Sequence, residues 1–105
     1  EYCANEVLPV IKDAGYDAEI IGLRDKYRAL FIEIKGSQGH IQIATTGYHE
    51  VIQIKTSSGL YYIDSVVHQQ YGVHPVDWDT YHALFAYTED VGQYLIRGPR
   101  DWNWK

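Results

Sequence analysis

The sequence has only one cysteine, Cys3, and no methionine at all. A lone cysteine excludes an internal disulfide and leaves no second thiol for a cysteine-based zinc site. No apolar run approaches the roughly 18 residues of a membrane-spanning helix, so we expect no membrane partner. Because a natural chain starts with methionine, we expect residues 1–105 to be a single domain cut from a longer protein.

Basic residues are also scarce. The chain has 9 Lys and Arg residues against 14 Asp and Glu residues, a formal net charge of −5, and no cluster of basic residues. Since binding to phosphates requires a basic surface, we do not expect nucleic acid as the partner. His40, His68, His74 and His82 share no metal-ligand spacing with a carboxylate or the thiol, so we expect neither a metal ion nor another cofactor.

Two stretches predict helices. Residues 3–14 carry an apolar stripe at helical spacing, and Gly15 suits the C-cap position. Pro9 lies beyond the first turn of that helix, so we expect a kink or a later start. Residues 75–87 predict a second helix, with Pro75 near its start. The side chains expected to pack inward from this helix are Trp78, Tyr81 and Phe85.

Apolar content predicts strands at residues 16–23 and 29–35 and a short one at 93–97. Residues 40–46 fit either a strand or an extended loop, and residues 65–74 have no clear period and are expected to wrap the surface. The side chains expected to share one face of the second strand are Leu30, Ile32 and Ile34. The pattern predicts an α+β fold, in which the N-terminal helix packs on a small, mostly antiparallel β-sheet and a second helix lies near the C-terminus.

The clearest element is a β-hairpin. Residues 46–54 and 60–64 are apolar, β-rich runs separated by a short polar loop, residues 55–59, that ends in glycine. His49 lies near the start of the first strand and Asp64 at the end of the second. Because these two ends are neighbours in an antiparallel pair, we expect the imidazole and the carboxylate to meet across the ladder.

Cys3 supplies the group that such a pair would serve. It lies at the predicted N-terminus of the first helix, where the helix dipole and the free N–H groups favour a thiolate. His49 then suits the general base and acid, and Asp64 would fix the tautomer and orientation of the imidazole. Each residue alone also has a structural interpretation, as a packed thiol, a strand residue or a turn cap. Their order and element types favour a cysteine-nucleophile triad.

The sequence resembles papain-fold toxin domains, the small Cys-His-Asp modules at the C-terminal ends of bacterial polymorphic toxins, over roughly residues 3–85. The matching stretches are Cys3-Ala4 with Ala14-Gly15-Tyr16, Thr46-Gly47-Tyr48-His49-Glu50, Tyr62-Ile63-Asp64-Ser65 and Gly72-Val73-His74-Pro75-Val76-Asp77-Trp78. The resemblance implies a papain-like fold in which Cys3 is the nucleophile, His49 the base and Asp64 the orienting acid. It also implies a secreted or delivered effector that acts in the cytoplasm of a target cell and is neutralised by a cognate immunity protein.

We therefore interpret the chain as an amide hydrolase that works through a thioester and has a protein as its substrate. Peptide-bond cleavage and glutamine deamidation use the same attack, so both a peptidase and a protein glutamine deamidase fit. One alternative is a small toxin ribonuclease that uses His49 with a second histidine or Lys55, which the negative net charge disfavours. The other is a non-enzymatic binding module in which Cys3 is merely packed.

Overall fold

The computed structural model describes residues 2–36, 39–64, 75–85 and 93–102, and the side chains of all of these except residues 2–4, 35, 36, 39 and 40. In chain order the elements are α1 (Tyr2–Asp13), β1 (Asp17–Asp25), β2 (Ile32–Gly36), β3 (Gly39–Ala44), β4 (His49–Thr56), β5 (Gly59–Ile63), α2 (Trp78–His82) and β6 (Leu95–Pro99). The predicted α+β class with a mostly antiparallel sheet is confirmed. No helix among the described residues is long and apolar enough to cross a membrane.

Four strands form the main sheet, in the order β5-β4-β1-β6, and every neighbouring pair is antiparallel. Strands β2 and β3 form a separate two-stranded ribbon. In the centre of the sheet Leu23 of β1 faces His49 of β4 in the register, while Leu23 also faces Arg97 of β6. The start of β4 is therefore next to a buried central strand.

The predicted β-hairpin is β4–β5. Thr56 pairs with Gly59, so the turn is tighter than the expected loop at residues 55–59. The Thr56 hydroxyl donates to the Gly59 carbonyl at 2.9 Å, and Gly59 has a φ of 135°, a conformation that a side chain would strain. These contacts lie within the turn itself, which explains why the sequence pattern predicts the position of the hairpin.

The two faces of the sheet carry different layers. What we call the front face packs against the β2–β3 ribbon and against α2. Its buried side chains include Ile21, Leu23, Val51, Tyr62 and Leu95. What we call the back face packs against the apolar stripe of α1, namely Val7, Leu8 and Ile11. Its buried side chains are Ala18, Ile20, Ile52 and Ile54.

The predicted first helix is confirmed, and it ends in a Schellman motif. Tyr16 N–H donates to the Ile11 carbonyl at 3.3 Å, and Gly15 N–H donates to the Lys12 carbonyl at 2.9 Å. Gly15 has a φ of 96°, which glycine adopts without a steric penalty. The helix begins at Tyr2 with Pro9 inside it, so the prediction of a later start is wrong.

The strand predicted at residues 29–35 begins later, at Ile32. Leu30 is 61% exposed and lies before the strand, whereas Ile32 and Ile34 are fully buried. The cause is a turn organised by Asp25, whose carboxylate accepts hydrogen bonds from the N–H groups of Tyr27 and Ala29. The turn follows β1 directly, because Asp25 is the last residue of that strand.

The second helix is much shorter than the predicted 75–87. Val76 pairs with Tyr62 through two backbone hydrogen bonds of 2.7 and 3.0 Å, which keeps the chain extended up to the N-cap residue Asp77. Phe85 forms an isolated bridge with Ile34, so the chain is extended again soon after the helix. Tyr81 and Phe85 are fully buried, as predicted, and Trp78 packs against the same cluster.

Three other predictions have separate outcomes. The ambiguous stretch 40–46 is mostly strand, since β3 covers Gly39–Ala44. The last strand lies slightly later than 93–97 and pairs with β1. Residues 65–74, expected on the surface, lie outside the described part of the chain.

Candidate functional site

His49 and Asp64 form a direct hydrogen bond. His49 Nε2 lies 2.7 Å from Asp64 Oδ2, and each residue is only 6% exposed. Ile52 faces Ile63 in the hairpin register, so Asp64 comes opposite Val51, diagonally across from His49. The predicted meeting of imidazole and carboxylate is therefore present at the open end of the hairpin.

A third side chain completes this group from α2. The Tyr81 hydroxyl donates to the same oxygen, Asp64 Oδ2, at 2.5 Å. Burial, followed by the charge of Asp64 and the hydrogen bond to it, raises the pKa of Tyr81 well above its ordinary value. The phenol thus keeps its proton at neutral pH and acts as a donor to the carboxylate.

Packing on the front face fixes Tyr81. Its ring stacks on Tyr62 at a centroid distance of 6.1 Å and meets the edge of Phe85 at 5.1 Å. The backbone pair between Tyr62 and Val76 holds the N-terminal side of α2 against β5. The apolar pattern predicts Tyr81 in the core but not its contact with Asp64, since nothing local links residues 17 positions apart.

The hydrogen bond defines the chemistry available to His49. Asp64, as a carboxylate, only accepts, so His49 Nε2 carries the proton in this pair. In the neutral ring Nδ1 then holds the lone pair, and no other residue that the structure describes hydrogen-bonds it. A base of this kind can take a proton at Nδ1 while the buried carboxylate stabilises the resulting imidazolium.

Cys3 lies in the first turn of α1, where the sequence predicted it, but its side chain is outside the described part of the structure. The apolar stripe of α1 covers the back face, whereas His49, Asp64 and Tyr81 belong to the front face. The structure therefore brings His49 and Asp64 together and leaves the approach of Cys3 to them as a prediction.

A second polar group, centred on Glu50, lies on the back face at the same end of β4 as His49, and no sequence pattern predicted it. Glu50 is 5% exposed, and its Oε2 accepts hydrogen bonds from the Tyr48 hydroxyl at 2.9 Å and from Arg100 Nε at 3.0 Å. Arg100 also donates to Asn5 Oδ1 at 2.8 Å, which connects α1 to the start of β4. This network anchors the N-terminal half of α1 near the end of the sheet that carries His49.

Arg24 of β1 links the segment before His49 to the C-terminal residues. Arg24 donates to the carbonyls of Trp102 at 2.9 Å and Gly47 at 3.3 Å, and its guanidinium lies over the Tyr48 ring at 4.7 Å. Trp102 Nε1 donates to the Gly22 carbonyl at 3.2 Å. Trp102 therefore packs on the protein's own sheet. Trp104 lies outside the described residues.

The remaining histidines divide in two. His82 is half-buried in α2, and its Nε2 accepts the Leu95 N–H at 2.9 Å, so it ties α2 to β6. The side chains of His40, His68 and His74 are outside the described part of the chain. Within the described residues, no three His, Cys, Asp or Glu side chains are grouped so that they could hold a metal ion.

Comparison of the chain with protein-family models, with curated proteins and with solved structures gave no match. The class established by the structure is thus a small α+β domain with a mostly antiparallel sheet and a buried His49–Asp64–Tyr81 group.

Proposed function

We propose that this chain is a papain-like cysteine hydrolase that cleaves amide bonds, with Cys3 as nucleophile, His49 as base and acid, and Asp64 as the orienting carboxylate. The observation that carries the proposal is the buried 2.7 Å contact between His49 Nε2 and Asp64 Oδ2. It fixes one nitrogen of the imidazole and leaves the other for proton transfer. The position of Cys3 in the first turn of α1 supports the proposal, since a helix N-terminus favours a thiolate.

The reaction follows from these roles. The Cys3 thiolate attacks the amide carbonyl carbon, and the carbonyl electron pair moves to oxygen to give a tetrahedral oxyanion. The backbone N–H of Cys3 is the proposed donor to this oxygen. Collapse of the intermediate breaks the C–N bond, and the His49 imidazolium gives its proton to the leaving nitrogen, which leaves a thioester.

The second half-reaction restores the enzyme. His49 takes a proton from water, and the hydroxide attacks the thioester carbonyl. The C–S bond breaks, the carboxylic acid leaves and the Cys3 thiolate re-forms. If the leaving nitrogen belongs to a peptide bond, the enzyme is a peptidase. If it is the side-chain nitrogen of glutamine, ammonia leaves and the enzyme is a protein deamidase.

The biological part of the proposal comes from the resemblance to papain-fold toxin domains. In this role the chain is a delivered effector that modifies a protein in the cytoplasm of a target bacterium. The producing cell then needs an immunity protein that blocks the enzyme. A net charge of −5 supports a protein substrate over nucleic acid.

The first test is a titration of Cys3, the single cysteine in the chain. We expect the ultraviolet absorbance of the thiolate and the rate of alkylation by iodoacetamide to rise with a midpoint well below the reference value of about pH 8.5. His49→Ala should move this midpoint upward. The matched control is His82→Gln. It changes a histidine that is hydrogen-bonded to β6, and it should leave the titration midpoint of Cys3 unchanged. A wild-type midpoint at or above the reference would contradict the proposal.

The second test separates the three classes of function. Expression of the chain in a bacterial cytoplasm should be toxic, and Cys3→Ala should abolish toxicity. Co-expression of the correct immunity protein, sought among the genes immediately downstream, should restore growth. RNA degradation that persists in the Cys3→Ala variant would instead indicate a ribonuclease. Toxicity or binding unaffected by Cys3→Ala, without RNA loss, would indicate a binding module.

A further inference from the structure

Tyr81 does more than fill the front-face core. Its hydroxyl and His49 Nε2 meet on one atom, Asp64 Oδ2, at 2.5 and 2.7 Å respectively. Both distances lie in the range of charge-assisted hydrogen bonds to a carboxylate. The two donors come from α2 and β4, so the carboxylate is held between two separate elements.

We infer that Tyr81 is a positioning residue, which turns Asp64 Oδ2 toward His49 and limits how strongly that oxygen attracts the imidazole proton. The inference rests on the proposed function only for its effect on catalysis. The effect of Tyr81 on the titration of His49 depends only on the hydrogen bonds that the two side chains donate to Asp64.

Tyr81 and His49 share one oxygen of the Asp64 carboxylate. A hydrogen bond to an ionised carboxylate stabilises its charged form and lowers its affinity for a proton. Tyr81 and His49 donate to the same atom. The hydrogen bond from the phenol hydroxyl therefore offsets part of the negative charge that would otherwise stabilise the imidazolium. Removal of the Tyr81 hydroxyl should therefore allow the His49–Asp64 pair to keep the proton that makes His49 an imidazolium up to a higher pH.

A purely structural role for Tyr81 makes a different prediction. The ring contacts with Tyr62 and Phe85 depend on the aromatic ring, not on the hydroxyl. Tyr81→Phe keeps these contacts and removes only the donor. If Tyr81 were only a core residue, this substitution would lower stability and leave the titration of His49 unchanged.

The chain offers a matched control in Tyr62. It is as deeply buried as Tyr81 and stacks on it, but its hydroxyl donates to Gln53 at 2.8 Å and accepts from Arg97 at 2.6 Å. Tyr62→Phe thus removes a buried hydroxyl from the same cluster without touching Asp64. Among the described ionisable groups, Arg97 of β6 lies over Trp78 of α2, His82 lies on α2 and Glu50 pairs with Arg100 on the back face, and all three remain in both variants.

The experiment is an NMR titration of the histidine ring protons in the full chain, with the His49 signal assigned from a His49→Gln variant. Tyr81→Phe should raise the pH midpoint of the His49 signal by about one to two pH units. Tyr62→Phe should leave it within a few tenths of a unit of wild type. An unchanged midpoint in a folded Tyr81→Phe variant, or an equal shift in Tyr62→Phe, would overturn the inference.

A reciprocal measurement covers the case in which Tyr81→Phe does not fold. In Asp64→Asn the charge beside the phenol is gone, so Tyr81 should ionise at a lower pH than in the wild type, as seen in the tyrosine ring signals. No change would also overturn the inference. These titrations do not depend on enzymatic activity. Failure of the proposed hydrolase function would therefore be seen in a separate experiment, as a Cys3→Ser variant whose activity equals that of the wild type. If the hydrolase is confirmed, the acid limb of its kcat/KM profile should move with the NMR midpoint in Tyr81→Phe.

Discussion

The ring of Tyr48 lies directly over Gly22 on the neighbouring strand. A Cβ atom at Gly22 would come within 2.4 Å of Tyr48 Cε1, so only glycine allows this approach. The Tyr48 hydroxyl donates to Glu50 Oε2 and accepts the Asp101 N–H at 2.6 Å. Burial is the main reason that the pKa of Tyr48 rises to about 12. Tyr48 thereby joins the start of β4, immediately before His49, to β1 and to the C-terminal segment.

The substitution Gly22→Ala should lower the free energy of unfolding by about 1–3 kcal/mol, because the Tyr48 ring must move and lose its two hydrogen bonds. Urea unfolding followed by circular dichroism measures this change. The control is Tyr48→Ala, which removes the obstructing ring. Adding Gly22→Ala to Tyr48→Ala should cost much less than adding it to the wild type, and equal costs in both backgrounds would refute the steric explanation.

The substitution Gly15→Ala should lower the free energy of unfolding by about 1–2 kcal/mol, since Gly15 has a positive φ in the Schellman motif that ends α1. No atom lies within 4 Å of the position that a Cβ would take, so the cost comes from the backbone alone. Thermal unfolding of Gly15→Ala and Gly15→Asn tests this. Asparagine tolerates positive φ better and should cost less, and an alanine variant as stable as the wild type would contradict the assignment of the cap.

The three proposed catalytic residues should differ in how much activity they control. Cys3→Ser and His49→Ala should abolish measurable turnover, because they remove the nucleophile and the proton carrier. Asp64→Asn should retain some turnover, because the amide still orients the imidazole while it loses the charge that stabilises the imidazolium. One assay on the three purified variants, with folding checked by circular dichroism, tests this order. Near-normal activity in His49→Ala would place the base elsewhere, with His40 as the first alternative.

Stability should fall at mildly acidic pH through His82. Burial is the main cause that lowers its pKa, Arg97 acts in the same direction and Asp79 opposes them. The neutral ring accepts the Leu95 N–H, and the unfolded chain binds a proton more readily than this folded ring. Stability is therefore full above the unfolded value of about 6.5 and decreases as pH falls below it toward the lower folded value.

The measurement is chemical unfolding across this pH range in the wild type and in His82→Gln. The variant should show a smaller decrease in stability between neutral and mildly acidic pH, although its stability at neutral pH is lower. Parallel pH curves for the two proteins would show that His82 does not contribute. Protonation of the acidic side chains changes the stability of both proteins equally, so the difference between the two pH curves reports on His82.

Local sequence signals predicted α1 and the β4–β5 hairpin well. The helix has a cap glycine next to its apolar stripe, and the hairpin has a polar turn between two β-rich runs. Both depend on contacts between residues near in sequence, such as Gly15 with Lys12 and Thr56 with Gly59. The pairing of His49 with Asp64 followed from the hairpin, because an antiparallel turn brings those two strand ends together.

Long-range packing decided the features that the sequence did not predict. The 75–87 helix was shortened because backbone pairing with Tyr62 and with Ile34 holds its flanks extended. The exposure of Leu30 has a local cause instead: the Asp25 carboxylate accepts the N–H groups of Tyr27 and Ala29, and the resulting turn delays the start of β2.

The sequence by itself determined that His49 and Asp64 would meet and that Cys3 would lie in the first turn of a helix. Only the tertiary structure decided that α1 covers the back face while the His49–Asp64 pair lies on the front face, and that Tyr81 donates to Asp64. The reason is that a strand has two faces with alternating side chains, and local pattern does not say which layer covers which face. That choice depends on how the separate apolar surfaces of α1, α2 and the β2–β3 ribbon are buried together.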